Sequence, residues 1–210
     1  TWGDPEVYRN IEGTNWQDEI FRISSIDQYN LNFSGGNENT SLYYSSEYLD
    51  QDGTLINTGF KKIINNLRIN HAISEKTKFK GQVQYSHSNR LGLRVSEDRF
   101  SSVIRDAILF RPVEPINSDG LLPGGIDPND PNQRFFFNPV KNLINTDRQE
   151  KQDVIRGNAN IIHKFSDSFT LNSRGNYQVD TRKQTTFFGA DTQQGTRGNN
   201  GINGTVTQRR

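Results

Sequence analysis

The sequence predicts an all-β fold: an antiparallel transmembrane β-barrel segment of about six strands, with long extracellular loops, one of which contains a short helix. Three observations predict it. Apolar and polar residues alternate with period 2 over stretches of about 9 to 16 residues, longer than the five or six usual in soluble sheets. The connections between these stretches alternate, short then long, so the short ones share one rim of the sheet. Finally, only 31% of the residues are hydrophobic and the mean hydropathy is -0.83, little for a chain that closes its own core. Disorder is not the reason, because 13 Phe, 7 Tyr and 2 Trp recur periodically rather than being scattered.

Composition narrows the classes further. There are 25 basic and 24 acidic residues, for a net charge of +1, and no basic run that would track a phosphate backbone, so nucleic acid is not the expected partner. With no cysteine, the chain has neither disulfides nor CxxC metal knuckles nor thiol chemistry. It has no methionine, no signal peptide and no apolar run approaching the roughly 18 residues of a transmembrane helix. The expectation is an internal piece of a longer protein.

Residues 1–27 carry three aromatic anchors without a sustained period and read as a loop with one helical turn at NWQDEIF. Period 2 begins at Tyr29, with Leu31 and Phe33 on one side and Asn30, Asn32 and Ser34 on the other. GGNENT then turns the chain, and Gly and Asn are expected to supply the positive φ of a hairpin. In the next strand Leu42, Tyr44 and Tyr48 share a face. DQDGTLINTG makes a longer connection, and Ile63, Leu67, Ile69 and Ile73 align in the third strand. SEKT leads into the cleanest strand: Phe79, Val83 and Tyr85 alternate with Lys78, Lys80, Gln82 and Gln84.

The pattern stops between Leu91 and Glu150. Inside that span SEDRFSSVIRDAILFRP reads as a helix over about 97–111, capped by Ser96 and striped by Phe100, Val103, Ile104, Ala107 and Ile108, with Pro112 ending it. Turn chemistry follows, then Phe135, Phe136 and Phe137. Alternation returns at Asp153, and after SDS the last strand sets Phe169, Leu171, Tyr177 and Val179 against Asn172, Arg174 and Gln178. The chain thus divides into a loop segment leading into the barrel (1–27), four barrel strands (28–90), a long extracellular loop (91–150), two further strands (151–182) and a final extracellular loop segment (183–210). Leu31, Phe33, Phe79, Val83, Tyr85, Leu171 and Tyr177 are expected to face lipid. Lys78, Lys80, Gln82, Gln84, Asn172 and Arg174 are expected to line the lumen.

The stretch NWQDEIFR (Asn15 to Arg22), followed by YNLNFSGGNENTSLYYSSEYLDQDGTLINTGFKK (Tyr29 to Lys62), resembles the early barrel of SusC/RagA-like TonB-dependent transporters, where a WQDEIF segment precedes a strand ending in SGGNE. The resemblance is good over residues 15–90, weaker over 153–181 and negligible over 91–150. It implies a bacterial outer-membrane barrel of about 22 strands around a plug. It further implies import of oligosaccharides or peptides, energised by the TonB complex, beneath a SusD-like surface lipoprotein. On that basis the chain holds the end of the first extracellular loop and strands two to seven, with the plug, TonB box and remaining strands outside it. Outer-membrane lipid and those missing parts of the same protein are then its other partners.

Sharper chemistry fits the residues less well. Asp18/Glu19, Glu97/Asp98 and Asp127/Asp130 are carboxylate pairs of the type a glycosidase needs, but they fall in a loop, a helix start and Pro-punctuated turns. No enzyme is expected. DPNDPN, with Asp127 and Asp130, lacks the acidic count and glycine of a calcium loop, and His71, His87 and His163 lack ligand spacing. Neither a metal nor a cofactor is expected. Phe135, Phe136 and Phe137, with Asp127 and Asp130, are the candidates for a partner- or cargo-facing loop. The alternative to a transport barrel is a soluble secreted β-sandwich for binding or adhesion, its apolar faces packed on each other.

Overall fold

The computed structural model of the chain describes residues 9, 12–92, 98–110, 112, 138–190, 192, 195 and 205–209. Among these residues, seven strands form one sheet in the order β1-β2-β3-β4-β5-β6-β7, every neighbour antiparallel and adjacent in sequence. The strands are β1 (Ile26–Gly36), β2 (Thr40–Asp52), β3 (Gly59–Ser74), β4 (Thr77–Leu91), β5 (Thr146–Lys164), β6 (Thr170–Phe188) and β7 (Thr205–Arg209). Among the described residues, three short helices accompany them: α1 (Trp16–Ile20), α2 (Asp98–Leu109) and α3 (Pro139–Ile144).

Several limits differ from the sequence reading. β5 starts at Thr146 and β6 runs on to Phe188, so this hairpin stands well above its neighbours. α3, inside the span read as loop, is set by Asn138, whose Oδ1 accepts from Val140 N at 3.0 Å and Lys141 N at 3.2 Å, and by Pro139 at the first helical position, where its missing N–H costs nothing. The five-residue β7 pairs with the top of β6. Its TVTQR sequence is too short to reveal a period.

The tight turns also work differently from expectation. Among the described residues only Asn57 and Gly92 take a positive φ, so GGNENT does not make its turn with left-handed residues. Instead Asn37 builds an Asx-turn: its Oδ1 accepts from Asn39 N at 3.0 Å and Thr40 N at 2.8 Å, while its own N–H donates to Thr40 O. Gly36 matters for closeness, because a Cβ there would collide with the Thr40 carbonyl. The Glu75-Lys76 turn between β3 and β4 has no positive φ either, and a register shift between Ala72 and Ser74 absorbs the mismatch in twist.

The main hydrophobic cluster among the described residues lies not in the sheet but beyond one rim of it. Trp16 and Ile20, four residues apart on α1, meet Val103, Ala107 and Phe110 from α2 and its end, Leu143 of α3 and Leu55 of the β2–β3 connection. Trp16 and Phe110 meet edge to face, ring centres 4.7 Å apart. The α2 stripe therefore runs Val103, Ala107, Phe110 rather than through Ile108, which is 57% exposed. The Phe100 side chain lies outside the described residues.

Candidate functional site: the two faces of the sheet and its outer rim

Pairing registers decide which side chains share a face, since cross-strand partners point the same way. Phe33, Tyr44, Leu67, Val83, Gly157 and Tyr177 form one continuous row from β1 to β6. Leu31, Phe79, Tyr85 and Leu171 fall on the same face, so all seven residues expected to be lipid-facing stand together. Lys78, Lys80, Gln82, Gln84, Asn172 and Arg174 all fall on the other face.

No second sheet covers the apolar face among the described residues. Leu31 is 53% exposed, Phe33 60%, Val83 51% and Tyr177 65%, which leaves a sandwich reading without its opposing layer. The band also has a definite height. From Ile155 on β5 to Phe165 just past its end, and back from Phe169 just before β6 to Val179 on it, it spans ten residue rises. That is about 33 Å of strand, or about 23 to 27 Å across a membrane at the usual barrel tilt of about 35 to 45°.

Several polar side chains on this face pair with one another, as a medium without water favours. Tyr44 O–H donates to Asn65 Oδ1 at 2.8 Å, hiding the one amide near mid-band. The polar pairs cluster at the band's two edges. Near the short turns, Thr40 Oγ1 lies 2.8 Å from His71 Nδ1, and Thr77 Oγ1 lies 2.9 Å from His163 Nδ1. Toward the long connections, Tyr85 O–H donates to Asp153 Oδ1, with His87 Nδ1 at 2.8 Å from the same oxygen, and Tyr48 O–H donates to Asp50. Tyrosines with their rings in the band and hydroxyls at its edge match an aromatic girdle. The three histidines thus have separate hydroxyl or carboxylate partners. No group of three or more potential metal ligands gathers among the described residues.

The opposite face is a wall of amides and cations. Arg156 reaches Gln178 Oε1 at 3.3 Å and Gln84 Oε1 at 3.5 Å, Gln82 donates to Asn66 at 2.9 Å, and the Arg68 guanidinium lies over the Tyr43 ring. Higher on β5 and β6 this face is covered: Thr146, Arg148, Glu150, Thr186 and Phe188 are buried.

At the rim, α1 is capped by Asn15, whose Oδ1 accepts from Gln17 N and whose Nδ2 donates to Asp18 Oδ2. This gives WQDEI its helical turn and buries Trp16 and Ile20. Phe21 bridges Leu55. Arg22 then clasps the β2–β3 connection, donating to the carbonyls of Gly53 and Thr58, both at 3.0 Å. Asn57, at φ 56°, donates through Nδ2 to Leu143 O and Thr146 O at 2.9 Å each, tying that connection to α3 and β5. Partial burial raises the Asp106 carboxyl to about 6, a shift that the neighbouring Arg105 only partly opposes. Neither Asn57 nor Arg22 stood out in the sequence; Asn57 sits in a loop of ordinary turn residues. Asp127, Asp130, Phe135, Phe136 and Phe137 lie outside the described residues.

A meander of long strands with one uncovered apolar face of membrane height is a segment of a transmembrane barrel wall. No described helix is long and apolar enough to cross a membrane, a fact that does not bear on strands. No protein-family model matches the chain. In sequence it is similar to TonB-dependent receptor P3 of Formosa agariphila, 29% identical over 190 residues covering 82% of this chain and 18% of that protein. TonB-dependent receptor P39 of the same organism is 36% identical over 72 residues, covering 32% of this chain and 7% of that protein. In structure it matches the RagAB peptide transporter at TM-score 0.63 and 17% identity, over 85% of this chain and 20% of that one. A second structure, the RagAB peptide importer in a closed-closed state, matches at TM-score 0.63 over 89% of this chain. The chain is thus similar to TonB-dependent receptors, spanning less than a fifth of their length, and its fold is that of part of a transmembrane barrel.

Proposed function

We infer that this chain is part of the barrel of a TonB-dependent transporter that imports oligosaccharides or peptides across the outer membrane with a SusD-like lipoprotein at its mouth. In this reading the apolar face meets lipid and the amide-rich face lines the lumen, against the plug and the passing cargo. The short turns lie on the periplasmic side and the helix-bearing rim outside. The observation that carries the reading is the continuous apolar band of membrane height on a sheet that no other layer covers. The buried rim core supports an ordered mouth, on which a partner docks more readily than on loose loops. The TonB complex acts through parts outside this chain, as do the remaining strands that protect the free edges of β1 and β7 from lipid.

The test is uptake. Disrupting the gene should abolish growth on one class of cargo, oligosaccharide or peptide, to the same degree as loss of TonB. Undiminished uptake of both classes would overturn the reading.

A further inference from the structure

We propose that the apolar-side face of β5 and β6, just above the band, binds the phosphate of an anionic lipid head group. The proposal rests on the lipid-facing assignment above. One row runs in register across five strands: Asp50, Lys61, Asn89, Lys151 and Lys183. At one end Lys61 Nζ donates to Asp50 Oδ2 at 2.7 Å and is satisfied. At the other, Lys151 stands directly opposite Lys183, and neither has an ion-pair partner among the described residues.

Like charges directly opposed destabilise a sheet, and an anion bridging them reverses the sign. The space for one is present: a hollow of about 180 Å³ is lined by Lys151, Lys183, Gln149, Thr185 and Asp147. Gln149 pairs with Thr185 one row farther from the band, so an amide and a hydroxyl donor stand beside the two ammonium groups. Asp147 is a further row out. Its carboxylate repels an anion from that end, while Asp153, one row toward the band, is engaged by Tyr85 and His87, so the phosphate is held over the lysines between the two.

The position selects a lipid over free phosphate. Immediately below the lysines, the same face continues through Asp153 and Thr181 into Ile155, Val179 and Tyr177. Acyl chains attached to a phosphate at Lys151 and Lys183 would lie along this apolar surface, where free phosphate would gain nothing.

The test is native mass spectrometry of the whole outer-membrane protein in detergent, titrated separately with diphosphoryl lipid A, phosphatidylcholine and inorganic phosphate. The intact protein should retain lipid A preferentially, and Lys151→Gln with Lys183→Gln should weaken it about 30-fold, from two membrane-surface lysines. Lys61→Gln should change it little. Equal retention by the double variant would overturn the site, and inorganic phosphate binding as tightly as lipid A would overturn the lipid assignment. A nitroxide at position 83 separates this failure from that of the underlying reading: if it proves lipid-exposed while the double variant retains lipid A, only the site is wrong.

Discussion

At the scale of single residues, Val83 and Gln82 are neighbours in sequence with opposite surroundings, because strand geometry sends them to opposite faces. Val83 sits in the middle of the apolar band, so Val83→Arg should cost roughly 2 to 4 kcal/mol of barrel stability in lipid. Gln82→Arg should change little, as measured by folding into bilayers over a urea series. This distinction was legible in the sequence, since alternation alone sorted Phe79, Val83 and Tyr85 from Lys80, Gln82 and Gln84. Asp106 was not legible. Its burial comes from how α2 packs, and the same packing brings in Phe110 where periodicity favoured Ile108. With a folded value of about 6 against an ordinary value near 3.8, Asp106 destabilises the folded rim when ionised. Its contribution is most favourable below pH 4 and is lost as pH rises through 6. Asp106→Asn should flatten that dependence and protect the rim at pH 7, read as slower hydrogen exchange at the Phe110 amide.

At the scale of elements, the rim assembly stands on α1 and on the β2–β3 connection. Removing the indole with Trp16→Ala should cost about 3 to 5 kcal/mol, as large aromatic truncations in cores do, and should fall on the rim alone. Faster tryptic cleavage after Arg105, with sheet content unchanged by circular dichroism, would show this. Asn57→Ala should loosen the tie to β5 doubly, losing two hydrogen bonds and adding a side-chain penalty at positive φ. Asn57→Gly should recover about 1 to 2 kcal/mol of that loss by relieving the backbone, measured as exchange protection at Asn145. The helical turn at NWQDEIF was expected from the sequence, while its Asn15 cap and its buried Trp16 and Ile20 show only in the fold. α3 carried a readable Asn-Pro start, but its six residues complete too few turns for periodicity to show. β7 depends on pairing with β6, a long-range contact that no local pattern encodes.

At the scale of the whole molecule, the sheet is a simple meander, and its logic is inverted relative to a soluble domain. The core is at one rim, while the broadest apolar surface is left open between two polar edges. This arrangement is stable only if the open face meets hydrocarbon and the free edges meet further strands. The sequence carried this architecture because period, turn alternation and composition all pointed the same way. It did not carry the extra height of the β5–β6 hairpin, whose top is charged and polar and does not alternate visibly. The most direct test places nitroxide labels one at a time at positions 82, 83, 84 and 85 of the protein in bilayers and compares collisions with oxygen and with a water-soluble nickel chelate. Positions 83 and 85 should respond to oxygen and be shielded from nickel, with 82 and 84 the reverse. Equal nickel accessibility at 82 and 83 would contradict a barrel wall with lipid on its apolar face.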